Sequence, residues 1–172
     1  MSVTITDLHN AIIQAFEAQF TDRVETIATY RATSTDPINT PALLLEMEDA
    51  SEGPDAGDER TPLRCRFTAH CMLSFQTPNV EIEVREFAAE VFRLVRSNLW
   101  GLSGSVKRPE QIEMGPGQCK PGKAGYESCY VTWEQVIYLG DTVWTNEGTM
   151  PTEVYVAYEP NTGAGGDYEA VE

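Results

Sequence analysis

From Leu63 to Phe75 the chain alternates without a break. Leu63, Cys65, Phe67, Ala69, Cys71, Leu73 and Phe75 fall on one face, and Arg64, Arg66, Thr68, His70, Met72 and Ser74 on the other. A period of two is the signature of a strand, and at roughly 3.3 Å per residue this one runs about 40 Å, longer than most. One apolar face and one largely polar face predict an antiparallel sheet whose polar side is wet or covered by another subunit. A second alternating run, Ser128 to Leu139, sets Cys129, Val131, Trp133, Gln135, Ile137 and Leu139 against Tyr130, Thr132, Glu134, Val136 and Tyr138. Shorter strands are expected at Arg23 to Arg31, at Pro41 to Glu48 around Ala42-Leu43-Leu44-Leu45, and at Glu110 to Met114.

Two helices complete the pattern. Leu8, Ile12, Phe16 and Phe20 recur every four residues behind Thr6, which is expected to act as N-cap. Val80, Val84, Phe87, Ala88, Val91, Leu94 and Val95 form the second stripe, with Pro78 expected at the first helical position and the end near Gly101. Helix, strands, helix, strands is not a repeating βαβ order. It predicts an α+β fold, a mixed or largely antiparallel sheet packed by two main helices, with an extended C-terminal arm. The organisation expected is a domain over 1–140 and an acidic extension over 141–172.

The net charge of −15 is concentrated in two places. Glu46, Glu48, Asp49, Glu52, Asp55, Asp58 and Glu59 lie in a segment without a base, read beyond Glu48 as a loop because Gly53-Pro54-Asp55 and Gly57 are turn residues. Seven more acids follow from Asp141, again without Lys or Arg, leaving 13 acids against 12 bases elsewhere. Proteins that grip duplex DNA displace counterions with basic surfaces, so that class is excluded; a negative surface can still face DNA to repel it. No apolar run reaches the roughly 18–20 residues of a membrane span, and no secretory signal is visible at Met1 to Asp7, which predicts a cytosolic protein.

The sites of chemistry read as empty. Gly117-Gln-Cys-Lys-Pro-Gly122-Lys123-Ala124 mimics a phosphate loop, but it lacks the terminal Ser or Thr that ligates magnesium, and a strand is expected after it instead of a helix. His9 and His70 have no nucleophile motif near them, and the four cysteines match no zinc spacing. No enzyme activity, cofactor or metal is expected. Arg64, Arg66 and His70 read either as charges protecting a sheet edge or as a contact with a neighbouring subunit's acids. In the tail, Trp144, Val154, Tyr155 and Tyr158 are the expected anchors of an arm that docks on a neighbour, by strand addition.

Taken in order, several pieces resemble the tail terminator proteins of long-tailed bacteriophages, particularly the Mu-like branch. They are the first helix, Thr40-Pro41-Ala42-Leu43-Leu44-Leu45-Glu46, Gly53-Pro54-Asp55-Ala56-Gly57-Asp58 and the helix after Thr77-Pro78-Asn79. Val131-Thr132-Trp133-Glu134-Gln135, Leu139-Gly140 and Pro151-Thr152-Glu153-Val154-Tyr155-Val156 continue the match. The resemblance implies a non-enzymatic virion protein without a cofactor. It would be assembled in the host cytoplasm as a homohexameric ring at the head-proximal end of the tail. Such a ring contacts the major tail tube protein and the head-tail connector or neck protein, while DNA passes its lumen without specific binding. The acids from Glu46 to Glu59 are then expected to face the lumen or the neck. A head-closure, neck or minor tail protein is the alternative within this class; a small-ligand binding module using the loop 115–125 is the alternative outside it.

Overall fold

The computed structural model describes residues 2–31, 38–122, 125–144, 155–156 and 169–170, the last four by backbone alone. The chain falls into two compact units, Met1–Thr142 and Val143–Glu172. The first is an α+β fold in the order α1 (Ile5–Phe20), β1 (Thr26–Thr29), β2 (Ala42–Glu52), β3 (Thr61–Ser74), α2 (Val80–Val95), β4 (Glu110–Pro116) and β5 (Tyr126–Leu139). In the second, β6 (Tyr155–Val156) pairs antiparallel with β7 (Glu169–Ala170).

The five strands of the first unit lie in the order β1-β2-β3-β5-β4, with β1 parallel to β2 and every other pair antiparallel. The sheet is therefore mixed, as its sequence predicts. Its long alternating strand forms the centre, flanked on both sides, so the edge-protection reading of Arg64, Arg66 and His70 does not hold. The apolar sides of β3 and β5 face one way and meet both helices there. Leu8, Ile12, Phe16 and Phe20 of α1 are all buried, as are Val80, Val84, Phe87, Ala88, Val91 and Val95 of α2. Each large aliphatic or aromatic side chain removed from water contributes roughly 1.5–3 kcal/mol, so these stripes hold the helices to the sheet. Phe67 stacks on Trp133 at 5.6 Å between ring centres, and Phe20 meets the edge of Phe87.

The helix starts differ from the sequence reading. Thr4, not Thr6, caps α1: its hydroxyl accepts from the Asp7 amide while the Asp7 carboxylate accepts from the Thr4 amide, a reciprocal capping box. The cap of α2 is Asn79 in the left-handed region (φ 53°), which places Pro78 before the helix instead of in its first turn. α2 ends at Val95, and the connection to β4 is irregular.

That connection is held by one side chain. Gln135, fully buried on β5, accepts from the indole N–H of Trp100 at 2.8 Å and of Trp133 at 3.3 Å. Its amide donates to the carbonyls of Asn98 at 3.2 Å and Lys107 at 2.8 Å. All the strong hydrogen-bonding positions of the amide are thus used, and Trp100 is kept in a left-handed conformation (φ 55°) that an aromatic residue rarely adopts. A Gln135→Leu variant leaves two buried indole donors and two part-buried carbonyls without this partner. It should lose about 2–4 kcal/mol of unfolding free energy, read by tryptophan fluorescence in urea; a loss under about 0.5 kcal/mol would show that the connection is held by packing instead.

Candidate functional site

The side of the sheet opposite the helices carries the charged residues. At one end a small apolar group sits on it, Ala42, Leu44 and Met72 packed with Ala28, Tyr30 and Tyr126. Beyond that group the surface turns acidic, and the reason is local. β2 does not stop at Glu48; it continues to Glu52, so Glu46, Glu48, Asp49 and Glu52 lie on a strand, not in a loop. Its pairing with β3 shifts between Met47 and Asp49, from Met47 opposite Phe67 to Asp49 opposite Arg66. The extra residue of this bulge is Glu48, and one inserted residue reverses the parity of everything after it. Asp49 and Ser51 consequently join Glu46 on the open side, where unbroken alternation would have placed Ala50 and Glu52.

Glu46, Glu48 and Asp49 each meet a partner on β3. Glu46 Oε2 lies 2.8 Å from His70 Nε2, whose ring packs on Tyr30 at 4.6 Å. The Thr68 hydroxyl donates to Glu48 at 2.6 Å. Glu134 of β5 accepts from Arg66 at 2.8 Å and from Arg64 at 3.2 Å. Arg66 also approaches Asp49 at 3.8 Å and Arg64 approaches Glu110 at 4.0 Å. Both arginines remain partly solvated, at 32% and 46% side-chain exposure, so each pair contributes only about 0.2–1 kcal/mol. Their effect is to fix side-chain directions, not to hold the fold. Glu113 stands opposite Thr132 on the same side, and Gly115 lies opposite Tyr130, where a side-chain carbon would collide with the tyrosine ring. The open side thus gathers six carboxylates, Glu46, Glu48, Asp49, Glu110, Glu113 and Glu134, against Arg64 and Arg66, with Arg60 and Lys107 over the Tyr138 ring at its far end.

The rest of the acidic segment divides. Asp55 accepts from the Gly57 amide at 2.8 Å in an exposed turn, and Glu59 is exposed in the left-handed region (φ 64°). Asp58 is buried, not exposed as a loop acid would be: it binds Arg60 at 2.8 Å, and Arg60 in turn donates to the Gly104 carbonyl and covers the Tyr138 ring. Burial alone would raise the Asp58 carboxyl. Hydrogen bonds from the Arg60 amide and guanidinium, the guanidinium charge and a hydrogen bond from Thr142 outweigh it, holding the group below its ordinary value.

Of the expected tail anchors, Trp144 is 72% exposed, and Tyr155 is described only as backbone opposite Ala170. Val154 and Tyr158 lie outside the described residues. Glu110, Glu113 and Glu134 were not singled out from the sequence. The parity of Glu134 within Ser128 to Leu139 was visible, but its alignment with Arg64 and Arg66 depends on strand register. The phosphate-loop mimic joins β4 to β5, where Lys120 and Tyr126 exchange backbone hydrogen bonds of 3.0 Å. A strand follows it, as expected.

All four cysteines are free. Burial, with the Asp49 charge, pushes the Cys65 thiol up to about 11, and burial likewise raises Cys71 and Cys129, so these three stay protonated and poorly nucleophilic at neutral pH. Among the described residues no group of three or more His, Cys, Asp or Glu is placed to hold a metal ion, and no helix is long and apolar enough to cross a membrane.

No family model matches the chain, and no curated protein matches it. Among solved structures it is similar to the PVC sheath/tube terminator of an extracellular contractile injection system, determined by electron cryo-microscopy in the extended state. The identity is 12% and the TM-score 0.45, over 95% of this chain and 66% of the other, so the chain spans just under two thirds of that protein's length.

The Asp58 environment has a consequence for acid stability. A carboxyl with a lowered native value contributes stability that is fully present above its unfolded value, near 3.8, and is lost as pH falls through the native value. Between about pH 5 and about pH 2 the natural protein should therefore lose more unfolding free energy than Asp58→Asn. Denaturant titrations at a series of pH values measure this, and parallel curves for the two proteins would contradict the assignment.

Proposed function

We propose that this chain is a structural virion protein, a tail terminator that assembles as a homohexameric ring on the end of a phage tail tube, stops its growth and offers a joining surface to the head connector or neck protein. The observation that carries the reading is the division of the sheet into a side covered by helices and an open side on which carboxylates outnumber bases. A channel that lets DNA pass has to repel phosphates, and acids fixed on strands do so without binding any sequence. The open side is accordingly assigned to the lumen, with the exposed turn around Asp55 and Glu59 toward the lumen rim or neck.

Other features support the same reading. The order of sequence pieces from the first helix to Pro151-Thr152-Glu153 resembles that of phage terminators. The two edge strands, β1 and β4, have one neighbour each, which leaves backbone groups that an adjoining protein can pair with. Val143–Glu172, a unit of its own, is assigned to contacts with a neighbouring subunit or the neck protein, with Trp144, Val154, Tyr155 and Tyr158 as its anchors. Head closure is the second reading, because the acidic open side would suit any collar through which DNA passes.

Particles that lack the protein separate the two. Termination predicts abnormally long tails without heads in electron micrographs, restored to the set length when the protein is supplied. Normal-length tails beside unattached, filled heads would transfer the assignment to the neck.

A further inference from the structure

We propose that successive copies of this chain dock head to tail through α2, the exposed Ile82 of one copy entering the groove beside Leu94 on the next. The proposal rests on the ring-forming reading and names the contact that builds the ring.

The donor patch lies in the first turns of α2. Ile82, 59% exposed, is the one large aliphatic side chain of α1 and α2 left exposed, and Glu81, Glu83 and Glu86 around it are exposed as well. The acceptor lies at the other end of the same helix. There the close of α1 and the second half of α2 leave a groove of about 440 Å³ lined by Gln19, Arg23, Glu90, Arg93 and Leu94. Leu94, part of the apolar stripe in the sequence, is only half-buried and forms the groove's apolar wall. Arg23 pairs with Glu90 and lies over the Phe20 ring at 5.1 Å, whereas Arg93 has no ion-pair partner among the described residues. Arg96, one turn on, is exposed.

An isoleucine among three acids and Arg85 is thus matched by a leucine beside Arg93 and the Arg23–Glu90 pair, an acid excess facing a basic one. The helix dipole accounts for acids at the start of α2 and bases at its end. It does not account for an aliphatic side chain left in water among those acids, nor for a groove opening where the arginines stand. Ile82 and Arg93 are eleven residues apart, three turns, so they share one stripe about 16.5 Å apart. Donor and acceptor lie toward opposite ends of α2, which lets the start of one copy's helix meet the end of the next copy's, head to tail. A two-fold pairing of the same stripe would satisfy these charges but stop at two chains, which a ring cannot do.

Cysteine cross-linking tests the contact on the full chain, with exposed Cys119 replaced by serine. Ile82→Cys with Leu94→Cys, and as a second pair entirely on exposed positions Glu86→Cys with Arg93→Cys, are oxidised mildly in assembled tails and in concentrated free protein. The expected result is a shift from a single band to a ladder beyond two chains on non-reducing gels, absent from each single-cysteine variant. A chain present at tail ends that stays single, or stops at two, overturns the contact and leaves the terminal role intact. A chain absent from tails overturns the terminal role, and the contact then stands or falls on the ladder from free protein.

Discussion

The unbroken antiparallel ladder between Thr61–Ser74 and Tyr126–Leu139 is the constraint on which the rest of the first unit depends. Its register runs from Thr61 opposite Leu139 to Ser74 opposite Tyr126 without a shift. Because side chains alternate, a slip of one residue would turn every one of them to the wrong side of the sheet. Two neighbours show what the register achieves. Glu134 points to the open side and holds Arg64 and Arg66, while Gln135 points inward and joins Trp100, Trp133, Asn98 and Lys107. The energies are unequal. Gln135 satisfies two buried indole N–H groups, so its loss is costly, whereas the arginines released by loss of Glu134 can be solvated.

The same logic explains what was legible in the sequence. Strand β3 and both helices were readable because their apolar residues keep a strict period, which burial of one side requires. β2 was readable only to Glu48. Acidic residues are depleted in strands, and the bulge at Glu48 breaks the alternation that would have carried the reading to Glu52. Asp58 looked like one more solvated acid, since only the folded chain brings Arg60, Gly104 and Tyr138 around it. The start of α1 was written in Thr4-Ile5-Thr6-Asp7, where Thr4 and Asp7 have the spacing of a capping box; Thr6 was a competing threonine within the same turn.

The acidic open side lacks a counterpart on the helical side, where α2 instead runs from an acid-rich start, Glu81, Glu83 and Glu86 with Arg85 among them, past Glu90 to Arg93 and Arg96. The molecule therefore carries two different electrostatic devices. One is a surface with an excess of acids on rigid strands, suited to repelling a polyanion. The other is a bipolar helix with an exposed isoleucine at one end and a groove at the other, suited to repeating contacts between copies. The proposed ring would use the first toward DNA and the second between copies, and the fold separates them onto opposite sides of one sheet.

A reconstruction of the head-proximal end of the tail tests this account most directly. It predicts a ring in which Glu46, Glu48, Glu113 and Glu134 line the channel and both helices lie away from it. A ring whose helices face the channel, with the acids on its outer wall, would contradict it.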